Sequence, residues 1–291
     1  MINNISGKKI LITGGTGSLG VYIIHQLLNM GAKNIISLSN DKNLIKKAKE
    51  IINSPYVTFL FGDICDNKIG KILKNVNYVY HTAAVKDIYQ SELSPTKTFN
   101  INVLGTVNIL HHSKNVERFV FISSDKAIEP VSCYGASKLL GEYFVKEKNT
   151  TEKGDFIVVR CPNFLGSRRS VLDLWGNKIK ENDSIEVTDP EMTRFFITLP
   201  DAAKFIINTS LSKKIDGEKI YYPHKYVRKF KLKDLAKAYA IAMGKPLTRI
   251  KIIGAKAGEK THETYMKNVP LVKVSKLVNI LKKHFQDNIL I

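Results

Sequence analysis

The chain has 291 residues, 44% of them hydrophobic, and a formal net charge of +19 at pH 7. This length suits one large α/β domain, or a nucleotide domain with a smaller companion, and the apolar content excludes a disordered chain. No apolar run approaches the roughly 20 residues that cross a bilayer, and the N-terminus lacks the small-residue cleavage site of a signal peptide, so a cytoplasmic protein with no membrane association is expected.

Three cysteines, Cys65, Cys133 and Cys161, follow no metal-ligand spacing and fit a reducing compartment. None of the seven histidines pairs at i, i+4, so no metal is expected. The positive charge is spread over lysines at solvent-facing helical spacing, such as Lys42, Lys46, Lys47 and Lys49, and no basic run carries interleaved aromatics. An anionic small substrate therefore fits this field better than nucleic acid does.

Six apolar runs read as strands: Lys9–Thr13, Asn34–Leu38, Val57–Phe61, Tyr78–His81, Arg118–Ile122 and Phe156–Arg160. Helical patterns at Ser18–Asn29, Asp41–Ile52 and Thr96–Ser113 lie between them. Strands alternating with helices imply right-handed crossovers, hence an α/β, Rossmann-type, doubly wound parallel sheet. After Asn163 the pattern turns irregular, with turns at Gly166 and Gly176 and helices near Asp201–Leu211, Leu232–Met243 and Val272–His284. The expected organisation is a dinucleotide-binding domain over residues 1–163 and a smaller substrate-binding lobe over 164–291. Segments near 191–222 are candidates to return to the first domain.

The run Gly14-Gly15-Thr16-Gly17-Ser18-Leu19-Gly20 follows the first strand and opens the first helix. In that context Gly14, Gly17 and Gly20 allow a tight turn, close approach of a pyrophosphate and close helix–sheet packing. The helix N-terminus adds unpaired N–H groups and a positive dipole end. The second strand ends at Ser39-Asn40-Asp41. Asp41 is spaced either to bind ribose hydroxyls, which favours NAD, or to cap the next helix. The arginine that NADP calls for is absent there, with Lys42 and Lys46 as substitutes. Asp63, in Gly62-Asp63-Ile64, ends the third strand within reach of an adenine. Ala83-Ala84 end the fourth, small enough for the backbone to lie against a cofactor.

The run from Ser124 to Lys138 carries the chemistry. Tyr134 and Lys138 stand one helical turn apart and share a face. A phenol with a pKa of about 10 is a poor base at neutral pH, and a nearby ammonium with the nicotinamide charge is expected to lower it. Asp125-Lys126, at a strand's carboxyl end, face the crevice where such sheets bind ligands, or else form a strand-end salt bridge. Ser124 is positioned to hydrogen-bond a substrate or Tyr134. Alcohol oxidation needs only a proton acceptor and a positioning donor. An added acid and amine suggest proton abstraction beside a carbonyl with loss of a leaving group.

These residues resemble the extended short-chain dehydrogenase/reductase superfamily, and within it the inverting UDP-N-acetylglucosamine 4,6-dehydratases of the polysaccharide biosynthesis protein family. The likeness runs from Ile10 to about Met266. It is carried by the glycine run, Ala83-Ala84-Val85-Lys86, Asn102-Val103-Leu104-Gly105-Thr106, Ser124-Asp125-Lys126-Ala127 and Tyr134-Gly135-Ala136-Ser137-Lys138. Further on it includes Asn163, Gly166-Ser167-Arg168, the run from Thr188 to Phe196, and the run from Gly258 to Glu263.

The resemblance implies a cofactor, NADP with NAD as the alternative, held by Gly14, Thr16, Gly17, Ser18, Leu19, Gly20, Ser39, Asn40, Asp41, Asp63, Ile64, Ala83, Ala84, Lys86, Asn102, Tyr134 and Lys138. It implies a UDP-amino sugar held by Lys86, Asn163, Ser167, Arg168, Thr188, Met192, Arg194 and Glu259. Tyr134 and Lys138 would oxidise the sugar at carbon 4, Lys126 would take the carbon 5 proton, and Asp125 would protonate the departing 6-hydroxyl. Tyr134, where related retaining enzymes tend to carry methionine, points to the inverting branch. A homo-oligomer, dimer or hexamer, is also implied. Asn40 departs from the family's arginine, Arg169 from its glycine, and Cys161-Pro162 from its aromatic–glycine pair. Two other readings stand beside this one: a UDP-hexose 4-epimerase, which needs Tyr134 and Lys138 but not Asp125-Lys126, and a non-catalytic nucleotide- or RNA-binding protein.

Overall fold

The computed structural model describes residues 5–182, 184–212, 219–245, 249–255 and 258–287. In chain order the first part comprises β1 (Ile10–Thr13), α1 (Ser18–Asn29), β2 (Ile35–Ser39), α2 (Lys42–Ile52), β3 (Val57–Phe61), α3 (Ile69–Leu73), β4 (Tyr78–His81), α4 (Ile88–Leu93), α5 (Pro95–Phe99), α6 (Gly105–His112), β5 (Arg118–Ser124), α7 (Cys133–Thr151) and β6 (Asp155–Cys161). There follow β7 (Asn163–Leu165), α8 (Val171–Asn182), β8 (Ser184–Val187), β9 (Thr193–Thr198), α9 (Leu199–Leu211), β10 (Ile220–Tyr221), β11 (Arg228–Lys231), α10 (Leu232–Ala242), β12 (Arg249–Ile252) and α11 (Val274–Asp287).

Seven parallel strands form the main sheet in the order β3-β2-β1-β4-β5-β6-β10. Both faces are buried, as a parallel sheet requires. Alternate residues go to opposite sides. Ile10, Ile12, Val120, Ile122, Ile157 and Val159 pack with α1 and α9. Leu11, Phe119, Phe121, Phe156 and Val158 pack with α3, α6 and α7. The sequence order reverses between β1 and β4, which opens the crevice at the strands' carboxyl ends.

The helix expected over Thr96–Ser113 is interrupted. A π turn at Asn100–Leu104 joins α5 to α6 and buries Asn102. Asn102 exchanges hydrogen bonds with the backbone of Val85 (2.8 and 2.9 Å) and donates to Ser137 Oγ (2.9 Å). One buried amide thus ties the segment after β4 to α7. Helical spacing on both sides of the turn makes the segment read as one helix.

The later elements build a second core around Trp175, with Ile185, Phe196, Phe230, Tyr239 and Leu281. A three-stranded sheet, β11-β9-β7, and a parallel pair, β12-β8, frame it. Two segments from this part of the chain rejoin the main sheet: α9 covers one face beside α1, and β10 extends the edge at β6. Among the described residues no helix is long and apolar enough to cross a membrane.

Candidate active site

The glycine-rich turn lies against the ends of β2 and β4. Gly14 has φ +67°, and a Cβ there would meet Ala83 N at 2.8 Å, so the loop and the end of β4 touch backbone to backbone. A Cβ on Gly20 would meet Gly15 Cα at 2.6 Å, which seats α1 directly on the loop. Gly17 is the N-cap of α1. No side chain caps this helix and no acid stands in its first turn. That leaves its N–H groups and dipole for an anion, so the residues fit a dinucleotide pyrophosphate. Leu19 and Ile64 are buried, one in each of the cores on the two faces of the main sheet.

Thr16 Oγ1 donates to Ser39 Oγ (2.8 Å), which also accepts from Asp41 N (3.2 Å). Asp41 caps α2 by accepting from Leu44 N (3.0 Å), and its neighbour Asn40 is exposed. Asp63 closes a turn onto Cys65 N (2.9 Å) and lines an open groove with Ser94 and Asn100. Beside it, burial and the Asp63 charge push the Cys65 thiol up to about 11. Ala83 and Ala84 are half-buried.

The chemical groups converge at the end of β5. Ser124 closes the strand, and residues 125–127 form a single 3-10 turn. The turn brings Lys126 back toward Asp125, although strand neighbours point apart. Lys126 Nζ donates to Asp125 Oδ1 (3.0 Å) and Asn163 Oδ1 (3.1 Å) and lies 3.3 Å from Glu263 Oε1. Ser124 Oγ donates to Asp125 Oδ1 (2.9 Å). Lys126 and Ser124 both act on the Tyr134 phenol. Asp125 is fully buried, and Asp125 Oδ2 and Glu263 Oε2 are both buried without a hydrogen-bond partner. Two orphaned acceptors in one centre leave an unmet demand for hydrogen-bond donors.

Burial works to deprotonate Lys126, but the carboxylates of Asp125 and Glu263 outweigh it and hold the ammonium above the usual lysine range. Burial pushes the Tyr134 phenol up, and it wins over the opposing pull of Lys126 and Ser124. Protein groups alone therefore raise Tyr134 instead of lowering it, because desolvation exceeds the pull of Lys126. Lys138 is drawn down to about 7 by burial, against the pull of Glu142, with its Nζ 4.0 Å from the centre of the Phe121 ring.

The remaining residues divide between two neighbourhoods. Ser167 and Arg168 lie beside the glycine-rich turn: Lys86 Nζ donates to Arg168 O (2.7 Å) and Ser167 Oγ (3.4 Å), and Arg168 reaches Thr16. Asn163 and Arg194 lie on the chemical side. Asn163 also donates to Phe195 O (2.8 Å), and Arg194 Nε is 4.0 Å from Glu263 Oε1. Met192 is buried, and its sulfur accepts from Thr188 (3.4 Å) and Arg194 (3.2 Å). Glu259 is half-buried in the segment that leads to Glu263. Sequence reasoning takes Glu259 from that run and passes over Glu263, yet Glu263 is the carboxylate against Lys126. Its signal is only its presence in the run, since no spacing relates positions 126 and 263.

A reversed parallel sheet with a glycine-rich crevice, and a Tyr–Lys helix turn at the next strand end, defines the extended short-chain dehydrogenase/reductase class. The chain belongs to the polysaccharide biosynthesis protein family, whose pattern matches residues 10–283. It is 34% identical over 264 residues to the UDP-N-acetylglucosamine 4,6-dehydratase (inverting) of Campylobacter jejuni, covering 88% of this chain and 76% of that one. It is 32% identical over 288 residues to the UDP-glucose 4-epimerase of Rickettsia bellii, covering 94% and 81%. Of the solved structures, Pen from Bacillus thuringiensis matches with a TM-score of 0.88 at 27% identity, covering 97% of this chain and 100% of that one. The dTDP-glucose 4,6-dehydratase DesIV of Streptomyces venezuelae, solved with NAD, shares the fold at 19% identity, with a TM-score of 0.82 and coverage of 96% and 97%.

Proposed function

We propose that this protein is an inverting 4,6-dehydratase of UDP-N-acetylglucosamine that uses a nicotinamide dinucleotide. The observation that carries the proposal is the Lys126 ammonium beside a fully buried Asp125 at 3.0 Å, next to Tyr134 and with two carboxylate oxygens left unpaired. A 4-epimerase on this scaffold has no use for that pair. When bound, the nicotinamide accepts the hydride from carbon 4, returns it at carbon 6 and brings a positive charge beside the phenol.

The residues' protons close a cycle. Tyr134, as phenolate, takes the proton of the 4-hydroxyl. Lys126 passes one proton to Asp125 Oδ1, and this single transfer yields the neutral amine and neutral acid that elimination needs. Lys126 then removes the proton from carbon 5, which the 4-keto group has acidified. Asp125 gives its proton to the 6-hydroxyl, which leaves as water. Tyr134 returns its proton to carbon 5 from the opposite face and inverts that centre. Lys126 ends as ammonium, Asp125 as carboxylate and Tyr134 as phenolate. Sugar hydroxyls that bond to Asp125 Oδ2 and Glu263 Oε2 would satisfy those atoms and weaken the hold of Glu263 on Lys126.

Turnover of UDP-N-acetylglucosamine in deuterated water tests this reading. The expected product has lost one water and carries deuterium at carbon 5. Lys126→Ala is expected to accumulate reduced nicotinamide without losing water. An unlabelled 4-epimer as the sole product would assign the protein to the epimerases instead.

A further inference from the structure

We propose that Arg168, carried on the loop after β7, reads the adenosine ribose of the cofactor and selects the 2′-phosphorylated dinucleotide. This deepens the proposed function: it rests on a dinucleotide occupying the glycine-rich crevice, and is independent of which sugar reaction follows.

The loop is fastened to that crevice by its backbone. Arg168 N donates to Ser18 Oγ (3.0 Å), and Arg168 O accepts from Lys86 Nζ (2.7 Å). The guanidinium donates to Thr16 O (2.5 Å), and the Asp41 charge supports its own against the effect of burial. Thr16 and Asp41 both bond to Ser39, so one cluster joins Arg168 to the end of β2. The end of β2 is where the ribose 2′ group is read, by a carboxylate when it is a hydroxyl and by an arginine when it is a phosphate.

The end of β2 supplies no arginine of its own. Asn40 is neutral, and the Lys42 ammonium sits 5.0 Å over the Phe61 ring. Asp41 already gives one oxygen to the cap of α2. The guanidinium of Arg168 therefore fills the role from the other side of the crevice. Here three cations, Lys86, Arg168 and Arg169, meet the carboxylates of Asp41, Asp87 and Asp173: the residue Lys86 is exposed overall, yet desolvation of its ammonium and the Arg168 and Arg169 charges outweigh those acids and pull it down to about 8. The planar fork of arginine matches phosphate oxygens in pairs. Arg194, beside Glu263, remains as the cation on the sugar side.

Calorimetric titration with 2′,5′-ADP, 5′-AMP and UDP separates these roles without turnover. The wild-type protein is expected to bind 2′,5′-ADP about 10- to 100-fold more tightly than 5′-AMP. Arg168→Ala should abolish that preference while leaving 5′-AMP and UDP affinity unchanged, and Asp41→Asn should increase it. Equal wild-type affinity for the two adenosine ligands would overturn the proposal. So would a loss in Arg168→Ala that falls equally on 5′-AMP, or on UDP alone, which would assign the arginine to the pyrophosphate or to the substrate. If neither adenosine ligand binds, the dinucleotide reading of the crevice fails with it. A failure confined to Arg168 leaves the deuterium experiment unaffected.

Discussion

Lys138 shows how far this site departs from what stability alone would select. The side chain is only 3% exposed, and its ammonium faces an aromatic ring that compensates in part. Burial draws its pKa from 10.5 to about 7. The folded chain thus binds fewer protons than the unfolded chain between those values, so this residue's effect on stability worsens as pH falls from about 10.5 to about 7 and is constant below. Lys138→Met, which keeps length and removes the charge, is expected to raise stability by on the order of a few kcal/mol below neutral pH. The gain should shrink as pH rises toward the lysine's unfolded value, and hydride transfer should be lost. Thermal unfolding across pH, alongside the rate of nicotinamide reduction, checks both. A melting temperature unchanged at every pH would mean that the ammonium is better solvated than its burial implies.

At the scale of elements, the decisive contact is between α7 and the 125–127 turn. Ser132 caps α7 through Gly135 N (3.1 Å), and a Cβ on Gly135 would collide with the carbonyl of Lys126 and approach Pro130 Cβ at 3.2 Å. Helix and turn therefore meet backbone to backbone, which fixes the distance from Tyr134 to Lys126. Gly135→Ala must open that contact. Destabilisation of about 1–3 kcal/mol is expected from overpacking, and a fall in kcat of at least ~10-fold from misplacement, with KM little changed. Chemical denaturation and steady-state kinetics measure the two. Full kcat in a folded variant would mean that the Tyr134–Lys126 geometry tolerates the shift. The π turn acts similarly at Asn102, holding the segment that carries Lys86 against α7.

At the scale of the molecule, the two cores are interlocked through the chain's path. Ile206, Ile207 and Leu211 of α9 bury the sheet face formed by Ile12, Tyr80, Val120 and Val159, although more than forty residues separate α9 from β6 in most of its length. Tyr80 also bonds to Ser210 at 2.7 Å. A chain ending at residue 163 would leave that face in water. It is expected to bind a hydrophobic dye and to lose cooperative thermal unfolding, whereas extending it through β10 should improve both. A cooperatively folding 1–163 fragment would show that α1 alone suffices to cover the sheet.

Sequence by itself determined six of the main sheet's seven strands and the first two helices between them, because strands and helices are local patterns that burial on both faces enforces. The six strand runs and the long first helix agree with the structure to within about two residues. It also exposed the glycine turn, Asp125-Lys126 and Tyr134-Lys138, whose spacing lies within single turns. Only the tertiary structure decided what lies across the crevice. Glu263 against Lys126, Arg168 over Thr16, and α9 beneath the sheet join residues far apart in the chain. Contacts of that kind leave no period in a sequence, and the balance of burial against charge that sets Lys126, Tyr134 and Lys138 exists only once they form.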